Sequence, residues 1–189
     1  MRKTSQTLQA GKPIVVWGWS EPNANVEVAF LDATTTALAR VQIVADANGK
    51  WSGELAPLKD GTAGRLEITT EHDRKIVKDV LVGEVWLASG QSNMVYPIAP
   101  GPNDGFLNKE DPVEMEQAKQ NTARARAEAD ATKPPVRFFI VADAKLDKPF
   151  DDVKGSWVVA NSKNIRIVWG RQGPVDVLRR SGAQGTRRR

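Results

Sequence analysis

Between Lys12 and Val82 the chain is a series of short apolar-rich runs separated by polar turn signals. Val26, Val28 and Phe30 are separated by Glu27 and Ala29, the period of two expected of a strand with one buried face. Comparable runs cover Ile14 to Trp19, Ala37 to Val44, Trp51 to Leu55, Leu66 to Thr70 and Lys75 to Val82. Turn-forming groups stand between them: Glu21-Pro22-Asn23, Asn48-Gly49 and Asp60-Gly61. Strands spaced about ten residues apart predict an all-β sandwich over residues 1–79. The Asn48-Gly49 pair just ahead of Trp51 is the strongest hairpin signal.

From Asp79 the pattern changes. Asp79 to Leu87 is β-branched and apolar with one internal charge, Glu84, which suits a strand of a parallel sheet buried on both faces. Ser89-Gly90-Gln91-Ser92-Asn93 suits a tight turn at that strand's carboxyl end, the end at which open α/β sheets bind ligands. Ala99 to Asp111 is a Pro/Gly-rich loop. Asp111-Pro112-Val113-Glu114 then predicts a helix start, with Asp111 as N-cap and Glu114 closing a capping box, and Lys133-Pro134-Pro135 ends the helix after about Ala131. Its apolar stripe is Met115, Ala118, Thr122, Ala125 and Ala129, with Arg124 and Arg126 solvated or facing an acidic substrate. Val136 to Ala142 predicts the next parallel strand, giving an incomplete α/β domain over residues 80–165.

A serine in a glycine-containing turn at a strand end has an exposed hydroxyl and nearby backbone N–H groups able to receive an oxyanion, as acyl transfer requires. Spacing alone is equally compatible with a polar turn after a core strand. Residues 83–87, Gly-Glu-Val-Trp-Leu, followed by residues 89–94, Ser-Gly-Gln-Ser-Asn-Met, resemble the signature of the sialate O-acetylesterases, carbohydrate esterases whose catalytic domain is of the SGNH-hydrolase type. The pattern is not the G-x-S-x-G elbow, since position 94 is Met. The resemblance extends back through Leu8-Gln9, Lys12-Pro13, Val16-Trp17-Gly18-Trp19, Asp46 to Trp51 and Lys78 to Leu81, and forward to Val153 to Trp157. It departs at Ala10, where members usually have Arg, and the first strand of the family's sandwich is not matched.

The resemblance implies Ser92 as nucleophile, with its own N–H contributing to the oxyanion hole, and an acetylated sugar as substrate; Gly90, Gln91 and Asn93 form the turn around it, and no motif for a cofactor or metal is present. It also implies that the catalytic His, its acidic partner and a second oxyanion donor come from segments downstream of these 189 residues. The chain is therefore read as a truncated member with impaired activity. A glycan-binding β-module with an inert α/β remainder, or a non-functional fragment, are the alternatives. His72, the sole histidine, lies in the polar turn Glu71-His72-Asp73-Arg74 and is read as a surface residue rather than a base. Trp17 and Trp19, two apart, share one strand face and serve either packing or sugar stacking.

Composition narrows the rest. With no cysteine there is neither a disulfide framework nor a thiolate metal site, and one histidine makes a histidine-based metal site improbable. The formal charge of +4 is a property of the tail: residues 170–189 hold six Arg and one Asp, while the remaining 21 basic and 22 acidic residues nearly cancel. No nucleic-acid surface is expected in the folded part, nor any membrane span. The basic start, Met1 to Gln6, is not followed by an apolar h-region, so no signal peptide is read although members of the family are usually exported; compartment and oligomeric state stay open. The Arg/Gly-rich stretch 166–189 has no apolar period and is read as a disordered tail or as a frame-shifted reading of a longer gene.

Overall fold

The computed structural model describes residues 6–88, 107–133, 136–141, 155–164 and 175–179. These are mostly β, with one helix among them. The chain divides into two compact units that meet in sequence at Val85 and Trp86.

In the first unit the strands are β1 (Gln6–Gln9), β2 (Ile14–Trp19), β3 (Asn25–Leu31), β4 (Ala37–Val44), β5 (Lys50–Leu55), β6 (Ala63–Thr69) and β7 (Arg74–Ala88), the last running on past Val85. β4, β3, β6 and β7 pair antiparallel in that order, and β1 joins β7 in parallel, so the sheet is mixed. β2 and β5 form a separate antiparallel ribbon with Ile14 opposite Leu55 and Trp19 opposite Lys50. Ile14, Trp51 and Leu55 from the ribbon and Val26, Val28, Phe30, Leu66, Val77, Val80 and Val82 from the larger sheet bury into a single cluster. Side chains of opposite pleats alternate, which is why Val26, Val28 and Phe30 go inward together.

The expected strands are present within a few residues of their sequence bounds, with two differences. Asn48-Gly49 does turn the chain, but not into a hairpin of neighbours, since β4 pairs with β3 and β5 with β2. The Asp46 carboxylate accepts from the Asn48 and Lys50 N–H groups, Gly49 adopts φ +78°, and its carbonyl accepts from Ser20 N, which steers β5 onto β2. The runs expected as a sandwich strand and a second-domain strand are one strand, β7. A bulge places Lys78 and Asp79 against β6 between Gly64 and Leu66, with Asp79 at φ +58°. That extra residue resets the alternation, so Val77, Val80 and Val82 all face inward.

In the second unit α1 (Pro112–Ala131) starts where expected: the Asp111 carboxylate accepts from Val113 N at 2.8 Å and Glu114 N at 3.1 Å. Glu114 does not close a box on Asp111; its carboxylate accepts from Asn108 N. Thr132 ends the helix, its hydroxyl and N–H both donating to the Glu128 carbonyl. Ala118 is buried and Met115, Thr122, Ala125 and Ala129 are half-buried, the stripe expected.

β8 (Arg137–Val141) lies where the next strand is expected. It pairs antiparallel with β9 (Gly155–Val159), and antiparallel again with β10 (Val175–Arg179). Neither of these pairs involves β7, the strand with which 136–142 is expected to run parallel. Phe139 and Trp157, opposite in this ladder, meet edge to face at 5.4 Å. β10 lies inside the stretch 166–189, whose other residues lie outside the described set.

Candidate active site

β7, the strand that precedes Ser92 in sequence, is fixed along most of its length. Gln6 to Gln9 of β1 run beside Val80 to Gly83 of β7 in parallel register. Ala10 N donates to the Gly83 carbonyl at 2.8 Å, and the Gln9 side-chain carbonyl then accepts from Val85 N at 2.9 Å. One side chain thereby continues the ladder a step beyond the backbone pairing. Val80 and Val82 anchor the inner face in the core, Glu84 and Val85 are half-buried, and Trp86 and Leu87 are exposed.

Ser92, Gly90, Gln91 and Asn93 lie outside the described residues. His72 is described: it is exposed in the turn between β6 and β7, which Thr70 N closes by donating to the Asp73 carbonyl. Arg124 and Arg126 are exposed on α1, with Arg124 donating to the Asn121 side chain at 3.2 Å. No group of three or more His, Asp or Glu capable of holding a metal occurs among the described residues. Among them, too, no helix is long and apolar enough to cross a membrane.

Two further groups have a chemistry the sequence did not advertise. Glu67 on β6 accepts from Arg65 Nε at 2.7 Å and from the Arg74 guanidinium, and these bonds hold its carboxyl below the usual glutamate value. The ladder brings the three together, so no local spacing announces them. They edge an open depression of about 580 Å³ beside Asp32 and Asp79. In the second unit, hydrogen bonds from the Ser162 hydroxyl and N–H lower the Asp130 carboxyl and tie the end of α1 to the turn after β9.

No family model matches the chain. It is 36% identical to the sialate O-acetylesterase of Mus musculus over 94 residues, 45% of this chain and 16% of that protein. Against the Homo sapiens sialate O-acetylesterase it is 38% identical over 86 residues, 42% of this chain and 16% of that one. The structure superposes on a crystal structure of a carbohydrate acetylesterase from Xanthomonas citri with TM-score 0.65 and 29% identity, over 89% of this chain and 34% of that one. The chain is a relative of the sialate O-acetylesterases.

The stretch matched is a minor share of each mammalian sialate O-acetylesterase, and the chain spans about a third of the Xanthomonas citri protein's length. β1 was invisible to sequence reasoning because Gln6-Thr7-Leu8-Gln9 buries only Thr7 and carries no apolar run. β10 had a faint signal, Val175 and Val177 around Asp176, inside an Arg-rich stretch.

Proposed function

We propose that the chain carries the nucleophile of a carbohydrate O-acetyl esterase, with Ser92 as the attacking residue and the turn Gly90 to Asn93 supplying oxyanion-side N–H groups. The observation that carries this reading is the run 83–94, similar to the sialate O-acetylesterase signature and placed in sequence directly at the end of β7, in a chain related to that family. We read residues 1–79 as a β-sandwich, 80–165 as the opening part of an SGNH-type domain with a parallel sheet, and 166–189 as a basic tail; the first boundary then falls at the β7 bulge.

In the reaction, Ser92 Oγ bonds to the acetyl carbonyl carbon of an acetylated sugar while its proton passes to a base, and the carbonyl π pair moves onto oxygen. Collapse of that oxyanion breaks the bond to the sugar oxygen, which takes the proton and leaves as a hydroxyl. Water then cleaves the acetyl-Ser92 ester and releases acetate. The base is the weak point for these 189 residues alone. Their single histidine sits in an exposed turn of the first unit and matches no catalytic position of the family. Hydrolysis is therefore expected well below the ordinary enzymatic range of about 1 to 10³ per second.

The test is hydrolysis of p-nitrophenyl acetate by the chain and by Ser92→Ala. A rate above buffer that disappears in the variant supports the reading. Equal rates in the two proteins remove it.

A further inference from the structure

The β2–β5 ribbon has two unlike faces. Register and pleat send Ile14, Val16 and Gly18 inward with Trp51, Gly53 and Leu55, where Ile14, Trp51 and Leu55 are core. The other face is then obligatory: Val15, Trp17 and Trp19 on β2, each directly opposite Glu54, Ser52 and Lys50 on β5. Val15 is 59% exposed, Trp17 45% and Trp19 59%. The two indoles pack edge to face, centroids 5.3 Å apart and planes at 88°, so one ring's face and the other's edge bound a right-angled notch. A fold that hides Trp51 on the inner side of this ribbon leaves two tryptophans exposed on its outer side.

We propose that this face is a glycan-stacking site for a short run of neutral pyranose rings, separate from Ser92. The C–H face of a pyranose is apolar and its hydrogens are slightly positive, matching the negative face of an indole. Its hydroxyls project around the rim, where they need both donors and acceptors. The β5 row, about 4.8 Å away across the ribbon, offers Lys50 as donor, Glu54 as acceptor and Ser52 as either. Lys50 and Glu54 cancel, so the face complements a neutral ligand rather than a polyanion or an anionic lipid surface. Size points the same way. Two strands of six residues make a face about 20 Å long and about 10 Å wide, roughly 200 Å², against about 800 Å² per partner in a stable protein interface. Such a site tethers polymeric substrate to the chain that carries Ser92 and so raises its effective concentration. The choice of sugar as ligand rests on the carbohydrate reading above, whereas the site's geometry does not.

The experiment uses the full chain carrying Ser92→Ala, so that nothing is turned over, titrated with xylohexaose in plain and O-acetylated form and followed by tryptophan emission and calorimetry. Both forms are expected to bind with similar dissociation constants of about 0.1 to 1 mM, because the ring faces rather than the ester are read. Trp17→Ala is expected to weaken binding at least about tenfold, about 1.4 kcal/mol, and Trp17→Ala/Trp19→Ala to abolish it. Trp17→Phe, which preserves a ring and the fold, is expected to fall between. Unchanged affinity in the folded double variant, or no response of the parent at 10 mM sugar, overturns the proposal. So does sedimentation showing a concentration-dependent dimer that Trp17→Ala/Trp19→Ala dissolves, which would assign the face to a second copy. Acetate-ester hydrolysis by the Ser92 protein is measured separately, so loss of either reading leaves the other standing.

Discussion

Gly18 stands directly opposite Trp51 in the β2–β5 ladder, and a Cβ at position 18 would come within 2.5 Å of the Trp51 indole. The inner face of the ribbon is therefore built around one large side chain lying over a position that has none. Trp51 reaches the core cluster only because Gly18 lets it lie flat.

Gly18→Ala is accordingly expected to destabilise the first unit by about 1 to 3 kcal/mol, the usual cost of overpacking a filled core. The β-propensity gained by replacing glycine in a strand opposes this by less than about 1 kcal/mol. Urea unfolding followed by tryptophan emission measures the net effect. An unchanged or raised midpoint would show that Trp51 has room to move aside.

The ribbon also shows where sequence reading succeeds and where it stops. Asn25 to Leu31 was legible because period two is a local property, and the Asp111 cap because its partners are two and three residues away. Which strand pairs with which is not local. Asn48-Gly49 signalled a turn correctly and a hairpin incorrectly, since the partner of β5 is chosen by Trp51 over Gly18 and by Ser20 bonding Gly49, not by the turn. The antiparallel setting of β8 and the bulge that makes β7 one strand are equally non-local. Of the site, Ser92 was legible only through the motif around it, because a polar turn after a strand is common.

Asp111→Ala tests the cap. The substitution leaves the N–H groups of Val113 and Glu114 without their acceptor and is expected to cost about 1 kcal/mol. Hydrogen exchange should accelerate in the first turn of α1 and stay unchanged near Thr132, whose hydroxyl holds the other end. Uniform acceleration along the helix would mean that the cap is not what fixes its start.

Glu67 makes stability depend on pH. Its folded carboxyl titrates below the ordinary value of 4.5, chiefly through the hydrogen bond from Arg65 and then that from Arg74. A depressed carboxylate contributes stability that is fully present above its unfolded value and is lost as pH falls through the folded one. Glu67→Gln should therefore be less stable than the parent at pH 7, with the gap narrowing as pH drops below about 4.5. Denaturation midpoints for both proteins at pH 7, 4 and 3 decide it. A gap that is constant across that range would show that the lost contact is not ionic.

Gln9 holds the part of β7 nearest in sequence to Ser92. Its side-chain carbonyl accepts from Val85 N at 2.9 Å, one step past the Ala10–Gly83 backbone bond, while its amide donates to the Ala10 carbonyl. Both Gln9 and Val85 are half-buried, so water replaces the lost acceptor only in part. Gln9→Ala is expected to cost about 1 to 3 kcal/mol and to speed amide exchange at Val85 far more than at Val80 or Val82, whose N–H groups lie within the sheet. Gln9→Glu keeps an acceptor at the same reach and should restore slow exchange at Val85 although it cannot donate to Ala10. If Gln9→Glu behaves like Gln9→Ala, the amide-to-Ala10 bond rather than the contact with Val85 is what holds β7 at this point, and the ladder ends at Gly83.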